Sequence, residues 1–288
     1  MKIKIASRTS KLALRQVELF VKTFSIENYS LKEVSTQGDK MSTNGNVLFD
    51  KANFVNDIET CLLDGTADLA IHSAKDMPAI KTNGLEHLYF IEGSSRKISD
   101  LLIFKKGIEP VYKKNMKLGT SSLRRKMQAK FHLLSNDIYP LNGNIDTRLK
   151  KLNDGIYDCI ILAEAGLSRL DYLLSGHNYL KLNHITCSGQ GALSVQWKVG
   201  SKIEEFLKPF FVSKSSDDLN IGINMERELL RKLEANCNSA ISLYVSNGIL
   251  NGEIYGKDKF IAFSGKNVDE IFNNIRRDEG LKLLHEHY

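Results

Sequence analysis

What is scarce in this chain excludes several classes of protein at once. Among its 288 residues there are only four cysteines and four prolines. Cys61, Cys159, Cys187 and Cys237 stand far apart with no C-x-x-C pair, so a zinc site, a thioredoxin-like redox pair and a disulfide framework are not expected. Long apolar runs are missing too. Stretches such as Cys159 to Ala163 fall far short of the roughly 18 to 20 residues that span a bilayer. Lys2, Ile3, Lys4 and Ile5 alternate charge with isoleucine before Arg8, which leaves no apolar signal-peptide core and points to the cytoplasm. No fixed-period repeat and no low-complexity tract is present, so solenoids and linker-like chains are not supported.

What is present is an ordinary globular composition, 42% hydrophobic and 26% charged. At about 150 residues per domain the length suggests two domains, or three small ones. Lysine and arginine number 40 against 34 acidic residues, a net +6 that suits an anionic small molecule as well as nucleic acid. The basic residues are dispersed over several loops without an aromatic-basic run, which makes nucleic acid the weaker alternative.

Hydrophobic periodicity supplies the architecture. Lys2 to Ala6 alternates like a half-buried strand, and Ser10 can cap a helix whose apolar stripe is Ala13, Val17, Phe20 and Phe24. Strand-then-helix units return at Ala67 to Pro78, Lys117 to Arg125 and Tyr157 to Leu167. Such repetition predicts α/β layers around a mostly parallel sheet, with ligands beyond the carboxyl ends of the strands. Breaks are expected at Gly93 to Lys97 and at Ser213 to Asp218. Beyond the second break a helix over Met225 to Leu233, strands around Tyr244 and Ile254, and a closing helix with Val268, Ile271, Phe272 and Ile275 on one face predict a small α+β unit.

The arginines carry the first chemical signal. Arg124 and Arg125 fall in the first turn of a helix capped near Ser121, Arg148 follows Gly143 to Thr147, and Arg8 stands beside Ser10. A cation at a helix N-terminus opposes the macrodipole by roughly 0.3–1 kcal/mol, a sign that a bound anion reverses. Backbone N–H groups, hydroxyls and a guanidinium fork together cradle a carboxylate or phosphate, although each arginine alone can simply reach solvent. Lys75 and Asp76 sit in a strand-end loop before Pro78; such a pair can stabilise a cation or move a proton, though most Lys-Asp pairs are surface ion pairs. Cys237, in the polar loop Glu234 to Asn238, is the best-placed nucleophile, against the commoner reading of an unreactive thiol. His72 reads as a structural, hydrogen-bonded histidine, and His285 and His287 as part of a solvated tail, so no metal is expected.

Taken together these loops resemble the hydroxymethylbilane synthase, or porphobilinogen deaminase, family. The matching segments, in order, are Ala6 to Gln16, Thr36-Gln37-Gly38-Asp39, Leu62 to Pro78, Gly119 to Arg125, Gly143 to Leu149, Leu162 to Leu170, Gly189 to Leu193, and Cys237 after Glu226-Arg227. The resemblance implies an α/β protein of three domains: two hinged lobes like those of periplasmic binding proteins, residues 1–95 with 188–212 and residues 96–187, plus a small α+β domain, 217–288. It implies a transferase of haem and tetrapyrrole biosynthesis that joins four porphobilinogens head to tail, releasing ammonia each time, on a dipyrromethane cofactor held by a thioether to Cys237. Asp76 and Lys75 would be catalytic. Asp39, Lys75, Thr120, Ser121, Ser122, Arg124, Arg125 and Thr147 would hold the cofactor with Cys237. Arg8, Ser10, Arg148, Arg169 and Gln190 would bind the substrate carboxylates. A monomer acting on a small molecule, with no nucleic-acid or membrane partner, is expected, with lobe and loop movement between steps.

The chain departs from the family pattern at several places. Asn142 stands where the family usually has arginine, and Asn56 where it usually has the second of two lysines. Ala235-Asn236 replaces two glycines, and Ala240 a proline. A poorly active divergent form and a non-catalytic two-lobed binding protein are therefore the rival readings, since a fold does not fix a function.

Overall fold

The computed structural model describes residues 2–35, 55–172, 176–214, 217–236 and 239–286. In chain order the first part gives β1 (Ile3–Arg8), α1 (Lys11–Thr23), β2 (Tyr29–Val34), α2 (Asn56–Leu63), β3 (Leu69–Ser73) and β4 (Leu85–Phe90). The second gives β5 (Asp100–Phe104), β6 (Leu118–Gly119), α3 (Leu123–His132), β7 (Ile138–Tyr139), α4 (Ile145–Asn153), β8 (Cys159–Ala163), α5 (Glu164–Arg169) and β9 (Tyr179–Leu182). The chain then returns through β10 (Leu193–Lys198) and α6 (Lys202–Lys214) to α7 (Asp217–Lys232). It closes with β11 (Ile241–Ser246), β12 (Ile249–Tyr255), β13 (Phe260–Gly265), α8 (Val268–Arg277) and α9 (Gly280–Leu284).

The described strands form three sheets, in the orders β2-β1-β3-β10-β4, β7-β6-β8-β5-β9 and β11-β12-β13. The two large sheets are mixed, which corrects the expectation of mostly parallel ones. In the first, β2, β1 and β3 run parallel, but β10 pairs antiparallel with both β3 and β4. β10 enters this sheet from the second lobe, so it meets its neighbours from the opposite end, with Ser194 opposite His72. β5 likewise runs antiparallel to β8 and β9. The chain thus crosses between the lobes twice, over 91–99 and 183–192.

Local sequence explains the elements that frame these crossings. Ser10 accepts from the Ala13 N–H at 3.3 Å and caps α1, whose buried Ala13, Gln16, Val17 and Phe20 lie on one face. Phe24, expected on that stripe, is the residue just after the helix and is also buried. Ile3, Ile5, Leu69, Ile71, Val195 and Trp197 meet α1 in the first core. A second core gathers Leu101, Ile103, Ile160 and Leu162 with Leu149 and Leu152 of α4. In the third unit Asn267 caps α8 through Asp269 and Glu270 N–H groups, and Val268, Ile271 and Ile275 pack on β11 to β13. No described helix is long and apolar enough to cross a membrane.

Candidate active site

β3 ends at Ser73, and the chain turns at once into a single 3-10 turn, Ala74–Asp76, before Pro78. This places the half-buried Lys75 and Asp76 beyond the carboxyl end of the strand, where open α/β sheets bind ligands. Asp76 shares a pocket with Arg8, Ser10, Gln16 and His72, all from the first lobe. A second pocket shares Leu12 and Ser73 with the first and adds Lys75, Arg169 and Gln190, together with Ala163, Ala165 and Gly166 of the second lobe. The two form one cleft between the lobes. Gln16 donates to Ser73 Oγ at 2.8 Å and fixes the strand end. His72 is buried, and burial pushes its pKa down to about 4, so the imidazole is neutral at pH 7.

The second lobe brings the arginines, but not all to the cleft surface. Arg124 and Arg125 lie in the first turn of α3 as expected, yet both are buried and turn inward onto Asp100, the first residue of β5. Arg124 Nη2 donates to Asp100 Oδ2 at 2.8 Å, and Arg125 grips both carboxylate oxygens at 2.7 and 3.1 Å. Burial works against the Asp100 charge, but Arg125 and Arg124 outweigh it and hold the carboxyl far below the usual range. Two guanidiniums against one carboxylate still leave one positive charge at the head of the helix. Gln190 adds a donor to Asp100 Oδ1 at 3.0 Å and to the Ile98 carbonyl at 2.7 Å. Arg169 is also committed, with a fork onto Glu92 at 2.7 and 2.9 Å and a bond to the Gly191 carbonyl at 3.0 Å.

The remaining donors stand at or just before the heads of α3 and α4. Ser121 and Thr147 are exposed, while Ser122, the residue before α3, makes no capping bond and leaves the first-turn N–H groups to another acceptor. Thr120 is buried, and its hydroxyl accepts from Ser122 N–H at 3.3 Å. Ser121 Oγ is 2.8 Å from Asn142 Oδ1 and accepts from Leu141 N–H at 2.8 Å. Asn144 caps α4 through Thr147 N–H at 2.9 Å. Arg148 differs from the other second-lobe arginines. Its Nε donates to the Gly143 carbonyl at 2.7 Å, but no ion pair holds it among the described residues. Burial and the neighbouring Arg125 lower its pKa to about 10, with only Asp76 acting the other way.

The model of the family described as porphobilinogen deaminase, dipyromethane cofactor binding domain, matches residues 3–204. The chain belongs to the porphobilinogen deaminase family. The porphobilinogen deaminase of Prochlorococcus marinus (strain MIT 9515) is 36% identical over 301 residues, covering 98% of this chain and 92% of its own. That of Limosilactobacillus reuteri (strain DSM 20016) is 33% identical, covering 92% and 85%, and that of Helicobacter acinonychis (strain Sheeba) is 35% identical, covering 85% and 80%.

The porphobilinogen deaminase cofactor, a dipyrromethane with carboxylated side chains, fits the donors present. Arg148 forms no ion pair among the described residues, the first-turn N–H groups of α3 are uncapped, and the Ser121 and Thr147 hydroxyls are exposed, which is the kind of donor set that carboxylates require. Asp39 and Cys237 lie outside the described residues, as do the segment Asn46 to Phe54 and His287. Of the flanks of Cys237, Asn236 N–H donates to Ser239 Oγ at 3.0 Å. Sequence reasoning missed Asp100, the shared partner of Arg124 and Arg125, and Glu92 and Glu226, the partners of Arg169 and Arg96. Asp100 heads the apolar run Leu101 to Phe104, and a lone carboxylate at the head of a buried strand was the available sign.

Proposed function

We propose that this chain is a hydroxymethylbilane synthase, which condenses four porphobilinogens into the linear tetrapyrrole hydroxymethylbilane, releasing one ammonia per step. The observation that carries the reading is the cleft of a porphobilinogen deaminase family member in which Asp76, a carboxylate at a strand end, shares a pocket with Arg8 and Ser10. The dipyrromethane, when attached through Cys237, supplies the pyrrole carbon at which the chain grows. The chain's own residues do the rest. Arg8, Ser10 and Arg148 bind acetate and propionate groups by charge-assisted hydrogen bonds. Ser121, Ser122, Thr120 and Thr147 orient the bound carboxylates from the heads of α3 and α4, over the net positive charge of Arg124, Arg125 and Asp100. Departure of ammonia from porphobilinogen leaves a cationic pyrrole, and Asp76, fixed before the reaction begins, stabilises that charge and takes up the pyrrole proton. Lys75 helps hold a carboxylate close to Asp76. Arg169 and Gln190 act through the walls of the cleft, because their polar atoms are spent on Glu92, Asp100 and backbone carbonyls.

The domain limits belong to the same reading: residues 1–95 with 188–212, 96–187, and 217–288, a division supported by the membership of the three sheets. So does a cytoplasmic monomer without a nucleic-acid or membrane partner, which sedimentation and cell fractionation would check. The deciding experiment is an intact-mass spectrum with peptide mapping around Cys237. Added mass equal to two porphobilinogens less two ammonias on Cys237, with turnover of porphobilinogen, is expected. An unmodified Cys237 after incubation with porphobilinogen would favour the non-catalytic binding protein.

A further inference from the structure

Arg227 lies on α7, ten residues before Cys237, in the helix that leads into the third unit. Its side chain is nonetheless buried against the first lobe, with the residue 6% exposed. Nη1 donates to the carbonyls of Met77 at 2.9 Å and Pro78 at 2.6 Å, and Nη2 donates to the carbonyl of Ala74. One guanidinium thus holds both ends of the turn that carries Lys75 and Asp76. The Ala74 carbonyl also accepts the Met77 N–H at 3.2 Å, the bond that closes the 3-10 turn.

A buried guanidinium is costly unless paired, and Arg227 forms no ion pair among the described residues. Its carboxylate neighbour on the helix, Glu226, is spent elsewhere, on Arg96 at 2.9 Å and the Gly189 and Val245 N–H groups at 2.8 and 3.0 Å. An apolar side chain would fill the same space without that cost. What an apolar side chain lacks is a planar fork that fixes three carbonyls at once. The rest of the contact keeps the fork in place. The guanidinium lies 5.7 Å from the centre of the Tyr89 ring, and Asn220 on the same helix engages both the N–H and the carbonyl of Tyr89 at 2.9 and 3.1 Å.

We propose that Arg227 is the positioning residue of the catalytic turn: its fork sets the place of Lys75 and Asp76 and couples that place to the helix that leads to Cys237. The proposal rests on the functional reading above. It assigns Arg227 no contact with substrate.

The test compares the cofactor-loaded wild type with Arg227→Lys, which keeps the charge and loses the fork, and with Arg227→Gln. For loaded, folded Arg227→Lys the expectation is a kcat at least tenfold lower with KM for porphobilinogen changed less than twofold. Exchange of the Met77 amide should be at least tenfold faster while the β1 and β3 amides are unchanged. A loss of activity that only follows the folded or loaded fraction, or an unchanged Met77 amide, would overturn the proposal. If neither variant folds, the wild type decides: under low urea the Met77 amide should open together with the amides of α7, and independent opening would overturn it. Because amide exchange needs no substrate, it separates this proposal from the functional reading, which would fail instead through a wild type that neither loads nor turns over porphobilinogen.

Discussion

Asp76 and Arg148 make the clearest residue-level expectations. Asp76→Asn keeps the size of the side chain and removes the charge, so the fold and the mass on Cys237 should persist while kcat falls by about 10² or more. Near-normal turnover in a steady-state assay would exclude Asp76 as the key carboxylate. Arg148→Leu deletes a cation that forms no ion pair among the described residues, so stability should hold or rise slightly. Affinity for the carboxylated ligands should drop by about tenfold to a hundredfold, the equivalent of 1.5–3 kcal/mol for a charged hydrogen bond. Unchanged cofactor loading and KM would count against the assignment. These two residues were legible in the sequence because each sits within a short motif at a helix or strand end. The fate of Arg124 and Arg125 was not. Their position at the head of α3 was correct, but their partner Asp100 lies 24 residues upstream on another element, and no local pattern ties the two together.

At the scale of elements, the crossing segments fix the geometry. Gly189 and Gly191 both adopt the left-handed region, with φ of 69° and 85°. A Cβ at Gly191 would lie 2.7 Å from the Lys97 carbonyl oxygen, on the other crossing, and one at Gly189 would lie 2.8 Å from the Ala74 carbonyl carbon. The crossings therefore pack backbone to backbone, against each other and against the catalytic turn. Gly191→Ala should destabilise the protein by about 1–3 kcal/mol, through both φ and the clash. Urea unfolding measures this, and a midpoint and slope equal to wild type would refute it. α1 was readable from cap and stripe, and α8 from its stripe, because a helix writes its buried face into the sequence every three or four residues. β10 was not read from the sequence, since Leu193 to Lys198 is buried along nearly its whole length and its neighbours β3 and β4 lie about a hundred residues or more upstream.

For the whole molecule, buried titratable groups set the response to acid. His72 and His87 are buried and neutral, with pKa values lowered to about 4 and about 3 by burial, and for His87 also by Arg227 and Lys81. In the unfolded chain histidine binds its proton near pH 6.5. Between pH 6.5 and 4 the unfolded state therefore holds more protons than the folded one, and stability falls as pH falls, by about 1.4 kcal/mol per unit for each histidine. Asp100 acts in a lower window. Its depressed folded pKa stabilises the protein above the unfolded value of about 3.9, and that contribution is lost as pH falls further toward the folded pKa. Unfolding free energies at pH 7, 5.5 and 4.5 should decline in step, and His87→Gln should flatten the decline; a flat wild-type profile would contradict it.

Away from the crossings the lobes meet through the exposed Lys11 to Asp146 pair at 3.4 Å and through Arg15 Nε to the Arg169 carbonyl at 3.2 Å, whereas the buried bonds between them, Arg169 to Glu92 and Gln190 to Asp100, gather at the crossings, where a hinge would lie. Species loaded with two to five pyrroles should accordingly differ in amide exchange over 91–99 and 183–192, and identical exchange throughout the series would argue against movement between steps. The strand and helix periods, the caps at Ser10 and Asn267, and the motif residues around Asp76 and Arg148 were all fixed by neighbours within a few positions, so the sequence by itself determined them. The mixed order of the sheets, the inward turn of Arg124 and Arg125, and the reach of Arg227 across 150 residues to the catalytic turn were decided only by the tertiary structure. Burial demands a partner for every charge and every peptide group, and where that partner lies far along the chain, only folding brings it within reach.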